Sequence, residues 1–283
     1  MARLPKMRGN KLVNTYEKIY QLHHLIETKS FMDLAGPYKV GVDLGTADVV
    51  LAVTDNLGNP VAGSMRWASV VRDGLVYDFR GATEIVHELK SEVEQIMGVK
   101  LERGATAIPP GTVGRNALAC SNVIAGAGLE PICQVDEPVA AARALNLRHG
   151  IVVDIGGGTT GVAVLKDGSL VFTADEPTGG THVSLVLAGA YGITFEEAEK
   201  LKKDSSNHKR IMPVIVPVIE KMATIVKGIL NDKGDFSDYP VYVVGGTAYL
   251  EGFEYQFSKA FGREVHVPPH PLLVTPLGIA LYS

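Results

Sequence analysis

The period of the apolar positions changes several times along this chain, and each change marks an element. Leu12, Tyr16, Ile19, Tyr20, His23 and Ile26 recur at three- and four-residue steps, the spacing of one face of an amphipathic helix. Residues 30–37 break that pattern and end in Gly36-Pro37, so 1–37 is expected to be a helical extension and linker. Its helix either packs on its own domain or docks on a partner. From Tyr38 onward, short apolar runs alternate with longer helical patterns, as in an α/β protein. Two apolar runs fill 40–53 and join at Gly45-Thr46-Ala47-Asp48. Turns follow at 56–59 and 72–74, then a helix over 83–97 with Thr83 as its N-cap. A strand over 105–108 stops at Pro109-Pro110, and helices cover 112–127 and 137–147.

The pattern then starts again. A strand over 151–155, a glycine turn at 156–158, a strand over 160–165 and a hairpin at Asp167-Gly168 repeat the layout of 40–59. Val40-Gly41-Val42-Asp43-Leu44-Gly45 aligns with Ile151-Val152-Val153-Asp154-Ile155-Gly156. Helices are expected from Thr181, Thr194 and about His208, a strand over 241–244, a helix from Tyr249 and a last one over 275–282. Two copies of one unit imply two lobes, 38–150 and 151–270, followed by the helix of 271–283. A cleft between such halves is where a ligand binds.

Charge narrows the choice. The 283 residues carry a net charge of −4 and no long Lys/Arg run, which excludes a nucleic-acid footprint. The most apolar stretch, 211–230, holds Glu220, Lys221, Lys227 and two prolines, so no membrane span is expected. Cys120 and Cys133 show neither metal spacing nor a disulfide framework and read as buried thiols. No apolar segment follows Met-Ala-Arg-Leu-Pro-Lys-Met-Arg at the N-terminus, and the chain reads as cytoplasmic.

The glycines carry the chemistry. Gly156, Gly158 and Gly161 match a dinucleotide fingerprint, but the residues after Gly161 continue as strand and hairpin where that fingerprint needs a helix. What remains is a β-hairpin phosphate loop, present twice. Glycine lets successive backbone N–H groups approach phosphate oxygens with no Cβ in the way. Thr46, Thr159 and Thr160 add hydroxyl donors, and Asp43 and Asp154 end their strands where carboxylates can hold Mg²⁺ through its waters.

Val-Asp-Leu-Gly-Thr at 42–46, Val-Asp-Ile-Gly-Gly-Gly-Thr-Thr at 153–160 and Val-Val-Gly-Gly-Thr-Ala at 243–248 resemble, in order, the phosphate-1, phosphate-2 and adenosine motifs of the actin/Hsp70/sugar-kinase superfamily. Residues 136–142 and Pro276-Leu277-Gly278-Ile279-Ala280 resemble its two connecting helices, which implies that 271–283 returns to the first lobe. A narrower resemblance, through residues 42–50, is to the compact Hsp70-like proteins of ethanolamine utilization. The resemblance implies an actin/Hsp70-like ATPase fold with ATP or ADP and Mg²⁺ in the cleft. Asp43 and Asp154 would organise the metal, and Glu137 with Asp154 would be catalytic, Glu137 polarising the attacking water. Gly45, Thr46, Gly156, Gly157, Gly158, Thr159 and Thr160 would meet phosphates, Gly179 and Gly180 would border the nucleotide, and Gly245 and Gly246 would let the backbone approach adenosine. Glu199 and Lys202 resemble a ribose clamp, although by themselves they read as a solvated helix face.

The departures point to slow turnover. No residue matches the first-lobe catalytic lysine of Hsp70 chaperones, Ala47 replaces a hydroxyl, and Gly161 stands where an aspartate closes the second loop. His182, after Gly179-Gly180, reads as a structural residue of the cleft wall. The implied role is chaperone-like, or one of assembly and reactivation, in ethanolamine utilization. Its enzymes or the components of a bacterial microcompartment would be the protein partners. A small-metabolite kinase, a polymerising actin-like protein and a pseudo-ATPase scaffold are the alternatives.

Overall fold

The computed structural model describes residues 10–72 and 74–283; the segment before Asn10, the side chains of residues 10–13, Leu12 among them, and the turn residue Asp73 lie outside the description. The first half runs α1 (Asn10–Thr28), β1 (Lys39–Leu44), β2 (Asp48–Thr54), β3 (Pro60–Trp67), β4 (Val71–Arg72), β5 (Leu75–Val76), α2 (Phe79–Met97), β6 (Arg103–Ile108), α3 (Gly114–Gly126), β7 (Glu130–Asp136) and α4 (Glu137–Ala144). The second runs β8 (Gly150–Ile155), β9 (Thr160–Lys166), β10 (Ser169–Glu176), α5 (Gly180–Tyr191), α6 (Phe195–Lys203), α7 (His208–Lys233), β11 (Val241–Val244), α8 (Phe253–Phe261) and α9 (Val274–Ala280).

Five strands form one sheet in the order β3-β2-β1-β6-β7, and four form another in the order β10-β9-β8-β11. In both, an antiparallel three-strand meander is extended by a parallel strand beside its first member. The sequence repeat is therefore a repeat in space. Asp43 pairs with Val50 across β1 and β2, and Asp154 with Gly161 across β8 and β9. The valine-rich runs in β1 and β8 are nearly all buried, as strands covered by helices on both faces require.

Each sheet carries an outer core of its own. Val86 and Leu89 of α2 and Val123 of α3 pack on the first, and Leu187 of α5, Ile219 of α7 and Phe257 of α8 on the second. Between the sheets lies a shared layer. Ile19 and Leu22 of α1, Ala141 of α4 with Leu145 just beyond its end, and Val274 and Leu277 of α9 pack there with Val50 and Val152. Helix α1 thus packs on its own fold, and the apolar face a docking helix would offer is already buried. That face is Ile19, Leu22 and Leu25, whereas Tyr20 is exposed.

Several boundaries differ from expectation for local reasons. Helix α2 begins four residues early because Asp78, and not Thr83, is the cap; its Oδ1 accepts from the Gly81 N–H at 2.9 Å. Strand β7 was not visible in the pattern because Glu130, Pro131 and Ile132 are exposed at the sheet edge, where proline is tolerated. A 3₁₀ turn fills Gly246–Tyr249, so α8 starts only at Phe253. Helix α7 continues through Pro213 and Pro217, each of which removes a backbone donor, because Ile211, Ile215, Ile219 and Met222 bury its apolar stripe. Cys120 is buried as expected, but Cys133 on β7 is only half-buried. Among the described residues no helix is long and apolar enough to cross a membrane.

Candidate functional site

A cavity of about 300 Å³ opens between the two sheets. The turn after β1 brings Gly45 and Thr46 to it, and the turn after β8 brings Gly156, Gly157, Gly158 and Thr159. Gly180 at the start of α5 and Gly245 and Gly246 after β11 complete the glycine wall. The two hairpin turns face each other at contact distance. A Cβ on Gly157 would stand 3.0 Å from Thr46 Cβ and 3.5 Å from the Ala47 nitrogen. Gly245, at φ +89, passes so close to Asp154 that a Cβ would lie 2.5 Å from its Oδ1, a place and a conformation only glycine fits.

Asp43, Glu137 and Asp154 reach the same cavity, joined by Asp48 at the start of β2. Burial pushes Asp43 and Glu137 well above the usual carboxylate range, and repulsion from neighbouring carboxylates adds to it. Burial also raises Asp48 to about 6, against the pull of Lys203. Asp154 is raised by burial to about 6, although Thr275 Oγ1 donates to its Oδ2 at 2.5 Å. Asp175 of β10 pairs with Gly161 across the strands, is raised by burial to about 7 and is opposed there by a hydrogen bond from Thr159. It sets a carboxylate beside the position where Gly161 departs from the family motif.

These shifts fix the direction of a pH effect. Groups whose folded pKa is raised bind protons more tightly when folded, so the stability they confer is complete below about pH 4 and is lost as pH rises through about 6 to 7. Without divalent cation, the melting temperature is expected to fall across that window, and the fall to be smaller in Asp48→Asn. Scanning fluorimetry over the range checks this; an unchanged slope in the variant would show that Asp48 does not contribute.

Cations meet the cavity from α6. Glu199 and Lys202, 18% and 13% exposed, form a 2.5 Å ion pair on its wall, so the solvated-face reading is corrected. Lys202 Nζ also donates to the Gly180 carbonyl at 3.0 Å. Burial would raise Glu199, but Lys202 beside it wins and holds it below its ordinary value. Lys203 Nζ lies 4.3 Å from the centre of the Trp67 ring, which ties the end of α6 to the end of β3 across the opening.

Three expected residues stand off the cavity. Thr160 is fully buried at the start of β9 and donates to the Thr178 carbonyl at 2.7 Å. Gly179 lies behind the wall, where a Cβ would press within 2.7 Å of the carbonyl oxygens of Gly156 and Gly157. His182 sits in the first turn of α5, accepting at Nδ1 from the Gly179 N–H at 3.4 Å.

Two sheets of one topology, each sending an aspartate–glycine turn into a shared cleft beside a Gly-Gly turn, define an actin-like ATPase fold. The MreB/Mbl protein family model matches residues 60–188, and the cell division protein FtsA model matches 151–277. The crystal structure of MreB 5 of Spiroplasma citri bound to AMPPNP superposes with a TM-score of 0.68 at 20% identity, over 88% of this chain and 97% of that one. Ethanolamine utilization protein EutJ of Salmonella typhimurium is 46% identical over 245 residues, 86% of this chain and 85% of its own length. The crystal structure of EutJ from Carboxydothermus hydrogenoformans matches at 62% identity with a TM-score of 0.92, over 97% of this chain and 100% of that one. The chain belongs to the EutJ family of ethanolamine utilization proteins.

Proposed function

We propose that this cleft binds ATP or ADP with Mg²⁺, that ATP is hydrolysed slowly there, and that the bound state sets the relation of the two halves for a partner protein in ethanolamine utilization. The observation that carries the reading is the meeting of Thr46 and Gly157, one from each repeat, in a cavity also lined by Asp43, Asp48, Glu137 and Asp154. Phosphate oxygens would take the backbone N–H groups of the two turns, and the base and ribose would lie along Gly245, Gly246, Glu199 and Lys202. The AMPPNP bound to MreB 5 of Spiroplasma citri, which shares this fold, supports the same ligand class.

The donor set fits Mg²⁺. All the candidate ligands are oxygens, and a cation beside these buried carboxylates would offset the burial and mutual repulsion that raise them. Among the described residues no group of three or more His, Cys, Asp or Glu is close enough to hold a metal directly. That suits an ion which keeps most of its waters and takes the rest from phosphates, with Asp43 and Asp154 as its anchors. When bound, it would neutralise phosphate charge.

Glu137 has a second duty by position. It is the first residue of α4, whose Ala140 touches α9, so a carboxylate that orients water also begins a helix shared between the halves. In this reading the lobes are 38–150 and 151–270. The return of 271–283 to the first is supported by Gly41 of β1, where a Cβ would stand 2.8 Å from the Pro276 carbonyl oxygen. A ligand that clamps both hairpin turns then favours one arrangement of the halves, and a chaperone-like or reactivating partner would read it. Glu137→Gln is expected to lower steady-state ATP turnover by about a hundredfold while ATP still binds. Undiminished phosphate release from the variant would overturn the assignment of Glu137.

A further inference from the structure

Helix α1 lies outside both repeats, yet His23, Ile26 and Glu27 line the same cavity as Gly245 and Gly246. Its other face is fixed, with Ile19 and Leu22 buried between the sheets and Gln21 Nε2 donating to the Pro60 carbonyl at 2.9 Å. The side chains it turns to the cavity are therefore held in place by packing.

They meet an unusual residue. His270 adopts φ +44 and ψ 59, the left-handed region that L residues other than glycine rarely occupy. Its ring is stacked on His23, with centroids 3.6 Å apart and planes 15° from parallel, and Tyr20 meets it edge-on at 5.3 Å. Tyr249 stands 6.3 Å away. The next residue, Pro271, accepts at its carbonyl from the Gly245 N–H at 3.0 Å, so the ring cluster is tied to the Gly-Gly turn. Gly246 in turn abuts Leu272, where a Cβ would lie 3.3 Å from its Cδ1. Aromatic and apolar groups thus gather beside the turn proposed to approach adenosine, with the Glu27 carboxylate at the edge.

We infer that α1 is the base-side wall of the cleft: the His23–His270 stack borders the purine, and Glu27 accepts from its 6-amino group. This rests on the nucleotide reading of the cleft and adds the residues that determine its specificity. An ionised carboxylate only accepts hydrogen bonds, so it rewards an amine at that position and opposes a 6-oxo group. Losing a hydrogen bond to a charged group is worth about tenfold in affinity or more.

The test is calorimetric titration of the full chain with Mg·ATP and with the triphosphate of purine riboside, which lacks only the amine. The wild type is expected to prefer ATP about tenfold, and Glu27→Ala to bring the two within about twofold. Glu27→Gln, which keeps a carbonyl acceptor, retains part of the preference. His23→Ala weakens both nucleotides alike, because a stacking wall does not sense the substituent. Glu27 is exposed, so its variants should fold. A preference that persists in Glu27→Ala, or one absent from the wild type, overturns the inference while leaving the cleft intact. If the wild type binds neither nucleotide, the reading of the cleft itself fails.

Discussion

Asp154→Asn is expected to abolish the rise in melting temperature that Mg·ATP gives the wild type. At a ligand concentration a hundredfold above Kd, binding to the folded state alone adds about 2.7 kcal/mol. For a chain of this size that is about 5–10 °C, at roughly 2–4 °C per kcal/mol. The variant should lose all of it, because Asp154 is a proposed metal anchor and lies against the Gly245 backbone where the nucleotide would pass. The unliganded fold should not suffer. Asparagine keeps the shape and an acceptor for Thr275 Oγ1, and it removes a buried carboxylate that burial has already raised to about 6. Above that pH the variant should melt no lower than the wild type without ligand, which separates a lost site from a damaged fold. An undiminished shift in the variant would refute the assignment of Asp154.

The parts of this site that could be seen in the sequence are those packed into consecutive residues. A phosphate turn needs an aspartate, glycines and a threonine within a few positions, so residues 43–46 and 154–159 announce themselves, and their repetition reveals the two sheets. What converges from distant elements leaves no such trace. Asp48, Trp67 and Lys203 meet only because β2 begins, and β3 and α6 end, at one opening. Asp175 is brought beside the second turn by its pairing on β10 with Gly161 of β9. His23, Glu27 and His270 come from the two ends of the chain. Glu199 and Lys202 misled for the opposite reason. Alternating charge along a short helix is the usual mark of a solvated face, and only the placement of α6 over the cavity shows that this pair is enclosed. Thr159 and Thr160 looked equivalent as neighbours, but a strand begins at Thr160 and its hydroxyl is spent on Thr178.

Gly278→Ala should be strongly destabilising, although helix propensity predicts the reverse. Replacing glycine by alanine inside a helix is ordinarily worth about 1 kcal/mol in favour of folding. Here the added Cβ would overlap the carbonyl oxygen of Ala140 and stand 3.2 Å from its Cα. The obstacle is the backbone of α4, so no side chain can swing aside. Both helices are buried between the sheets, with Ala140, Ile279 and Ala280 fully enclosed. Overpacking of a core costs about 1–3 kcal/mol when side chains can adjust. A backbone contact belongs at the top of that range or above it, giving a net loss of about 3 kcal/mol and a melting temperature about 6–12 °C lower. Gly189→Ala in α5 is the control, because nothing lies within 4 Å of its added Cβ and propensity alone should act. The separation forced on α4 and α9 should also weaken ATP binding, since α4 begins at Glu137 and α9 carries the Thr275 that bonds Asp154. Melting of Gly278→Ala at the wild-type temperature, with Gly189→Ala raised, would mean that the two helices part at little cost and that their contact does not couple the halves.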